Sequence, residues 1–340
     1  MNLIGSEQIF VNSMIPYSVP DTSLVPCRYP IYFDAPQGMV HIQVMKKGND
    51  MAVPPAGLYE PVYPLNLDAT LSCGQLFRWK KVGDTWQGVA DGRVITIRQE
   101  GNLLWYTGCS EAFLISYLHL DSDHDAIVSG FCCDSHITAA VCRTGGLRIV
   151  RQDPWECLIS YLCAQNANIP FITRMIENLC RAAGEPIPAA DGTVWYAFPT
   201  PAALSALTLE EKRGCTLGYR APYIHKTAAA IAADPGWADR IREMPFEEAR
   251  RALMAYPGIG PKVADCVLLF GFQKYESFPV DVWMRMIMHR LYGIGNPDLS
   301  LTPAEYERIR RFAQEHFGPY AGYAQEFLFA VRETYADGKF

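Results

Sequence analysis

Two hydrophobic periods divide this chain. From Leu65 to Gly108, apolar and polar positions alternate in short runs, the period of half-buried strands. Phe77-Arg78-Trp79, Thr85-Trp86-Gln87-Gly88 and Arg93-Val94-Ile95-Thr96-Ile97 read as strands. Gly83-Asp84, Asp91-Gly92 and Glu100-Gly101-Asn102 read as the turns between them. The expected product is an antiparallel meander, with Trp79, Trp86 and Trp105 helping to pack it against helices. Beyond Asp153 the period becomes helical. Asp153-Pro154-Trp155-Glu156 has the form of a capping box with proline first, followed by an apolar face of Leu158, Ile159, Leu162 and Cys163. A second helix runs from Pro170 to a stop at Gly184. Thr302-Pro303-Ala304-Glu305 repeats the capping box for a helix ending near Gly318, and a last helix follows Tyr320-Ala321-Gly322. The fold class is α+β, an N-terminal antiparallel β-sheet domain followed by an all-α domain.

Residues 1–60 follow neither period and are rich in Pro, Gly and Met. They are either a flexible extension or an over-extended start with Met51 as the initiator, and no function is assigned to them. The divisions are then 1–60, a sheet domain over 61–150 and a helical domain over 151–340. A length of 340 residues suits two domains with sizeable cores, and 49% apolar with 19% charged residues is a globular composition. No apolar run spans a membrane, and no secretory or transit pattern stands at the N-terminus. Eleven cysteines without paired spacing point to reduced thiols and a cytoplasmic setting.

The densest information lies in Tyr256-Pro257-Gly258-Ile259-Gly260-Pro261-Lys262-Val263-Ala264. It reads as a helix end, a tight glycine hairpin and a new helix start. Gly258 and Gly260 tolerate φ > 0, and Pro261 suits a first helical position. Such a turn directs backbone N–H groups outward as a phosphate anchor. Lys262 stands at its end, and nineteen residues later Asp281 opens another helix, where it suits an N-cap. An amine and a carboxylate beside a phosphate anchor suggest covalent chemistry on a nucleic-acid sugar. The bland alternative is a helix–turn–helix corner with a solvated first-turn lysine. A net charge of −6 argues mildly against a nucleic-acid binder, but amide contacts to phosphate need no global positive charge.

This hairpin with its later aspartate resembles the helix-hairpin-helix DNA glycosylase superfamily. Within it the match is to the 8-oxoguanine DNA glycosylases, over roughly residues 61–335. Four segments carry it in family order: Leu67-Asp68 through Ser72-Cys73-Gly74-Gln75-Leu76-Phe77-Arg78-Trp79, Arg151 through Asn168, Leu217-Gly218-Tyr219-Arg220-Ala221, and the hairpin with Pro279-Val280-Asp281. The resemblance implies a bifunctional DNA glycosylase/AP lyase of base excision repair, acting without cofactor or metal as a monomer. Its partner would be double-stranded DNA containing oxidised guanine or abasic sites, with the bacterial nucleoid as its location and no membrane involved. Some relatives carry an iron–sulfur cluster after the catalytic helix, but here the last cysteine is Cys266.

By the same resemblance, Lys262 is the nucleophile at C1′ and Asp281 the carboxylate that stabilises charge developing on the sugar. The amine attacks only when uncharged, a state favoured by partial burial or neighbouring cations. Phe329 and Cys266 would flank the extruded base, and Gln325 would bond its Watson–Crick edge. The Gly74 carbonyl would accept the N7–H that 8-oxoguanine has and guanine lacks. Asn166 would fill the vacated gap, Tyr219 would buckle the duplex, and Arg220 would contact the opposite base. Gly258, Gly260 and Val263 would hold the backbone. Taken singly, Phe329 and Cys266 are core types, Gln325 suits a surface, and Asn166 and Tyr219 suit a helix end and simple packing.

Three positions depart from the family pattern. Phe171 replaces a second arginine that reads the opposite cytosine, Ala167 an asparagine, and Trp283 a histidine. They suggest the bacterial branch and weaker discrimination of the opposite base. The rival enzyme is an alkylated-base glycosylase of the same superfamily, which Lys262 and Cys266 count against. The rival from another class is a non-catalytic helix-hairpin-helix DNA-binding module, which leaves Asp281, Gly74 and Gln325 unexplained.

Overall fold

The computed structural model describes residues 56–336 apart from Ala190 and Pro297. The expectations for residues 1–55, Met51 included, lie outside the described residues. Five antiparallel strands, β1 (Ala56–Tyr59), β2 (Trp79–Val82), β3 (Thr85–Ala90), β4 (Arg93–Glu100) and β5 (Leu103–Thr107), form one sheet in the order β1-β5-β4-β3-β2. The meander follows the turns expected for it, with positive φ at Gly83, Asp91, Gly92 and Gly101. Two details differ. Residues 56–59, expected to belong to an extension, form the edge strand and pair with Leu104–Thr107. Phe77 and Arg78 precede β2 rather than forming a strand.

Alternation explains which tryptophans reach the core. Ile95, Ile97, Leu104 and Tyr106 turn inward with Trp79 and Trp86. Trp105, between Leu104 and Tyr106, must face outward, where it is 43% exposed and meets the Arg98 guanidinium. The expectation that Trp105 packs against helices is therefore corrected by its register. Helices Glu111–Tyr117, His124–Phe131 and Ser135–Thr144 follow the sheet. The rest is helical save for a two-stranded ribbon, Pro186–Pro188 with Val194–Tyr196.

The helices begin where expected, but two capping boxes are half-formed. Asp153 and Thr302 accept the N–H of Glu156 and Glu305. The glutamates do not return to the caps. Glu156 pairs with Arg78 at 3.3 Å, while Glu305 accepts from the Asn296 N–H at 2.6 Å and pairs with Arg285 at 3.3 Å. A charged partner across the fold outcompetes a local amide. The reciprocal box forms instead at Thr208 and Glu211, which the sequence reading did not single out.

The helix Pro261–Phe272 is buried along most of its length and packs against the helix Pro154–Cys163, with Tyr161 stacked on Phe270 at 5.5 Å. Asp265, wholly buried on it, binds Arg250 at 2.8 Å and the Tyr306 hydroxyl at 2.5 Å. Burial pushes this carboxyl up to about 6 against the pull of Arg250. The contacts tie both hairpin helices, Phe246–Met254 and Pro261–Phe272, to the helix Pro303–Phe317. No helix among the described residues is long and apolar enough to cross a membrane.

Candidate active site

The hairpin needs its first glycine twice over. Gly258 stands at φ +80°, and a Cβ there would meet the Tyr223 ring at 2.5 Å. Gly260 departs from expectation. Its φ of −90° and ψ of 179° are extended backbone, open to any residue, and a Cβ there would meet nothing within 4 Å. Gly260 caps the helix Pro261–Phe272 without a side chain, and Pro261 takes the first position. The first-turn N–H groups are thus left to an outside acceptor, and the helix dipole favours an anion there. Gly260, Lys262 and the largely buried Val263 all line a cleft of ≈ 910 Å³.

Lys262 is half-buried, its Nζ 4.9 Å from the centroid of the Tyr161 ring. Its charge also draws down the thiol of Cys266, one turn further on. Asp281 caps the helix Val282–Tyr292, accepting the Met284 N–H at 2.8 Å. Burial pushes its carboxyl above the ordinary value. The Met284 and Trp283 amides and the charges of Lys262 and Arg332 work against that rise. The lysine charge thus favours the ionised aspartate, and both side chains line the same cleft, so one carboxylate caps a helix and borders the site of the amine.

Adjoining the cleft, and sharing Gly74, Tyr161, Lys262, Asp281 and Phe329 with it, is a second cavity of ≈ 50 Å³. Lys262, Asp281, Gly74, Cys266, Gln325 and Phe329 all line it. Six residues named from four separate stretches of sequence thus converge. Gly74, at φ +105°, lies against Phe329, where a Cβ would come within 3.3 Å of the ring. Buried Gln75 fixes this turn, donating to the carbonyls of Thr70 and Arg148 and accepting the Val150 N–H at 2.8 Å. Cys266 is buried, which pushes its thiol up to about 12 despite Lys262. Gln325 is 5% exposed, and its Oε1 has no hydrogen-bond partner among the described residues.

Asn166 lines the cleft, with Tyr219 and Arg220 beside it. Asn166, at φ +48°, donates to the Tyr219 hydroxyl at 3.0 Å. Tyr219 is half exposed. Arg220 is buried, donates to the Gln165 carbonyl at 3.0 Å, and lies over the rings of Tyr219 and Phe171 at 4.5 and 5.9 Å. In this arrangement its donors are spent on backbone carbonyls rather than presented to solvent.

Four residues at the site were not singled out from sequence. Tyr161 supplies the ring beneath Lys262. Gln165 ties the Asn166 loop to the hairpin through the Gly258 carbonyl at 3.1 Å. Arg332 stacks on Phe329, and Glu326 lies in the cavity wall. Burial pushes the Glu326 carboxyl up to about 7, opposed by the Cys73 thiol, Arg332 and Gln325. Each takes its meaning from partners distant in sequence, except that Arg332 and Glu326 sit at helical spacing from Phe329. Elsewhere, Cys133, Asp134 and His316 bring three possible donor atoms within 4.8 Å. Those atoms already bond one another and Tyr292, Asp134 accepting from His316 at 2.7 Å.

Comparison with known proteins matches residues 58–158 to the 8-oxoguanine DNA glycosylase N-terminal domain, and residues 159–311 to the HhH-GPD superfamily base excision DNA repair protein. N-glycosylase/DNA lyase OGG1 of Arabidopsis thaliana is 34% identical, the match covering 78% of this chain and 76% of that one. N-glycosylase/DNA lyase of Saccharomyces cerevisiae is 32% identical over 78% and 83%. The crystal structure of Clostridium acetobutylicum 8-oxoguanine glycosylase/lyase, with dsDNA containing cytosine opposite to 8-oxoG, superimposes with a TM-score of 0.75. It is 32% identical and covers 84% of this chain and 99% of that one. Plant, yeast and bacterial proteins match to similar degrees, which does not single out a bacterial branch. Two successive family domains and relatives matched over three quarters or more of their length agree with the cavity built from Gly74 and the hairpin, and the chain belongs to the 8-oxoguanine DNA glycosylase family.

Proposed function

We propose that this protein is a bifunctional DNA glycosylase/AP lyase that excises 8-oxoguanine from duplex DNA. The carrying observation is that Lys262, Asp281, Gly74, Cys266, Gln325 and Phe329 share one cavity adjoining a cleft edged by the hairpin. In this reading the hairpin amides hold a phosphate and the lesion leaves the helical stack. The base lies between Phe329 and Cys266. The Gly74 carbonyl accepts its N7–H, and the unpartnered Gln325 Oε1 accepts from its Watson–Crick edge. Guanine offers a lone pair at N7, which would face the carbonyl as a second acceptor and be rejected.

The neutral Lys262 amine attacks C1′, and the glycosidic electron pair leaves with the base, which takes up a proton. Asp281 stabilises positive charge developing on the sugar. The Lys262 adduct then opens to a Schiff base, and loss of the C2′ proton expels the 3′ phosphate by β-elimination. The buried Cys266 thiol stays protonated at neutral pH, so it does not compete as a nucleophile.

The reading extends to the bacterial branch of the family and to relaxed discrimination of the opposite base. Phe171 carries no donors for a cytosine edge, and Arg220 is engaged with Gln165. The test uses duplexes with 8-oxoguanine opposite each of the four bases, with and without borohydride. Nicking and covalent trapping are expected for each. Excision confined to the cytosine pair removes the relaxed reading. Excision of alkylated purines instead of 8-oxoguanine favours the rival glycosylase, and DNA binding without a nick at an abasic site favours a mere clamp.

A further inference from the structure

Glu326 is 3% exposed on the helix Ala321–Ala330, in the wall of the lesion cavity, and the chemistry above does not use it. Its Oε2 accepts from the Cys73 thiol at 3.2 Å, across 253 positions of sequence. Cys73 immediately precedes Gly74. On the other side, Glu326 adjoins Gln325 in sequence, both side chains line the cavity, and Gln325 favours the charged form of this carboxylate, as an amide N–H end turned toward it does. A primary amide has two unlike ends. With its N–H end drawn to Glu326, Gln325 leaves Oε1 in the cavity as a buried acceptor without a partner. A guanine-type edge offers N–H donors at N1 and N2 to such an acceptor.

Stability alone does not explain this carboxyl. Burying a charge is costly, and apolar replacement of buried charged groups is often neutral or stabilising. What the carboxyl does supply is a bridge between two readers of the base, one on the Cys73-Gly74 turn and one on the helix Ala321–Ala330.

We propose that Glu326 is a positioning residue for lesion recognition, anchoring the Cys73-Gly74 turn to Gln325 and turning the Gln325 carbonyl oxygen toward the base. The inference rests on the glycosylase reading. It predicts that Glu326 matters when there is a base to read and not when the base is already gone.

The experiment compares the full chain with its Glu326→Ala and Glu326→Gln variants under single turnover. One duplex carries 8-oxoguanine opposite cytosine and the other an abasic site. Glu326→Ala should slow 8-oxoguanine excision by about tenfold or more, the scale of a lost charge-assisted hydrogen bond, and change abasic-site nicking by less than about twofold. Glu326→Gln, nearly isosteric, should shift the ratio in the same direction by a smaller factor. In a Gln325→Ala background, Glu326→Ala should add less than about threefold, because residues acting through one contact are not additive. Equal losses on both duplexes would mark a structural role only and overturn the inference, as would an unchanged 8-oxoguanine rate or full additivity with Gln325→Ala. Unmutated protein that nicks neither duplex overturns the glycosylase reading, and the inference with it.

Discussion

The Arg332 guanidinium lies 4.3 Å from the centroid of the Phe329 ring and donates to the Phe329 carbonyl at 2.9 Å. It also reaches the Trp283 ring at 6.0 Å, so one cation holds two aromatic walls of the cleft. Arg332→Ala should weaken 8-oxoguanine excision by about three- to thirtyfold, the scale of a partly desolvated cation–π contact. In a double-mutant cycle with Phe329→Ala, the two losses should fall well short of their product. Simple multiplication of the two effects would separate Arg332 from the stacking wall.

Asp281 lets capping and chemistry be told apart. Asn caps a helix about as well as Asp but carries no charge. Asp281→Asn should leave the thermal midpoint nearly unchanged while lowering base excision by about 100-fold or more. Asp281→Ala should lose the activity and about 1 kcal/mol of stability as well. Calorimetry beside single-turnover rates reads both, and an active Asp281→Asn protein would leave the residue with its cap alone.

The two hairpin glycines should fail in different ways. At Gly258 a side chain meets both φ +80° and the Tyr223 ring, so Gly258→Ala should cost about 1–3 kcal/mol. Gly260→Ala meets open space in extended backbone, so the fold should keep its stability to within about 0.5 kcal/mol. The added methyl should instead crowd an incoming phosphate, seen as weaker binding to duplex DNA. Urea melts and binding titrations on both variants decide it. Equal stability loss would refute the division.

Acid should destabilise the protein through two histidines. Burial depresses His119 to about 4 and His124 to about 2, and both His124 nitrogens lack partners among the described residues. The unfolded chain takes up these protons from about pH 6.5 downward and the folded chain does not. Each histidine therefore removes up to about 1.4 kcal/mol of stability per pH unit as pH falls through that window. Glu326 acts in the opposite sense. Raised to about 7, it takes its proton in the folded chain first and adds stability as pH falls toward the ordinary carboxylate range. The measurable quantity is thus a difference. His124→Phe should flatten the fall in stability between pH 6 and 4.5 in urea melts, and an unchanged slope would contradict the assignment.

Much of the site was legible because it is local or lies in family-like segments. The hairpin, its Pro261 start and the Asp281 cap are set by residues within a few positions of one another. Gly74, Gln325 and Phe329 were legible only through resemblance, since nothing near them in sequence says that they meet. What escaped was tertiary. Glu326 has no meaning until Cys73 stands beside it, nor Gln165 until the Gly258 carbonyl does. The capping boxes at Glu156 and Glu305 misled for the same reason, because Arg78 and Arg285 arrive from elsewhere. Trp105 misled through register, since hydrophobicity alone does not say which face of a strand is inward.

The burial that raises the Cys266 thiol to about 12 has a chemical consequence beyond packing. Peroxides and related oxidants attack sulfur as its anion, and here almost none of that anion exists at neutral pH. A repair protein is needed most when such oxidants are abundant. By keeping this sulfur protonated and shielded, the fold protects its own pocket from the stress that creates its work.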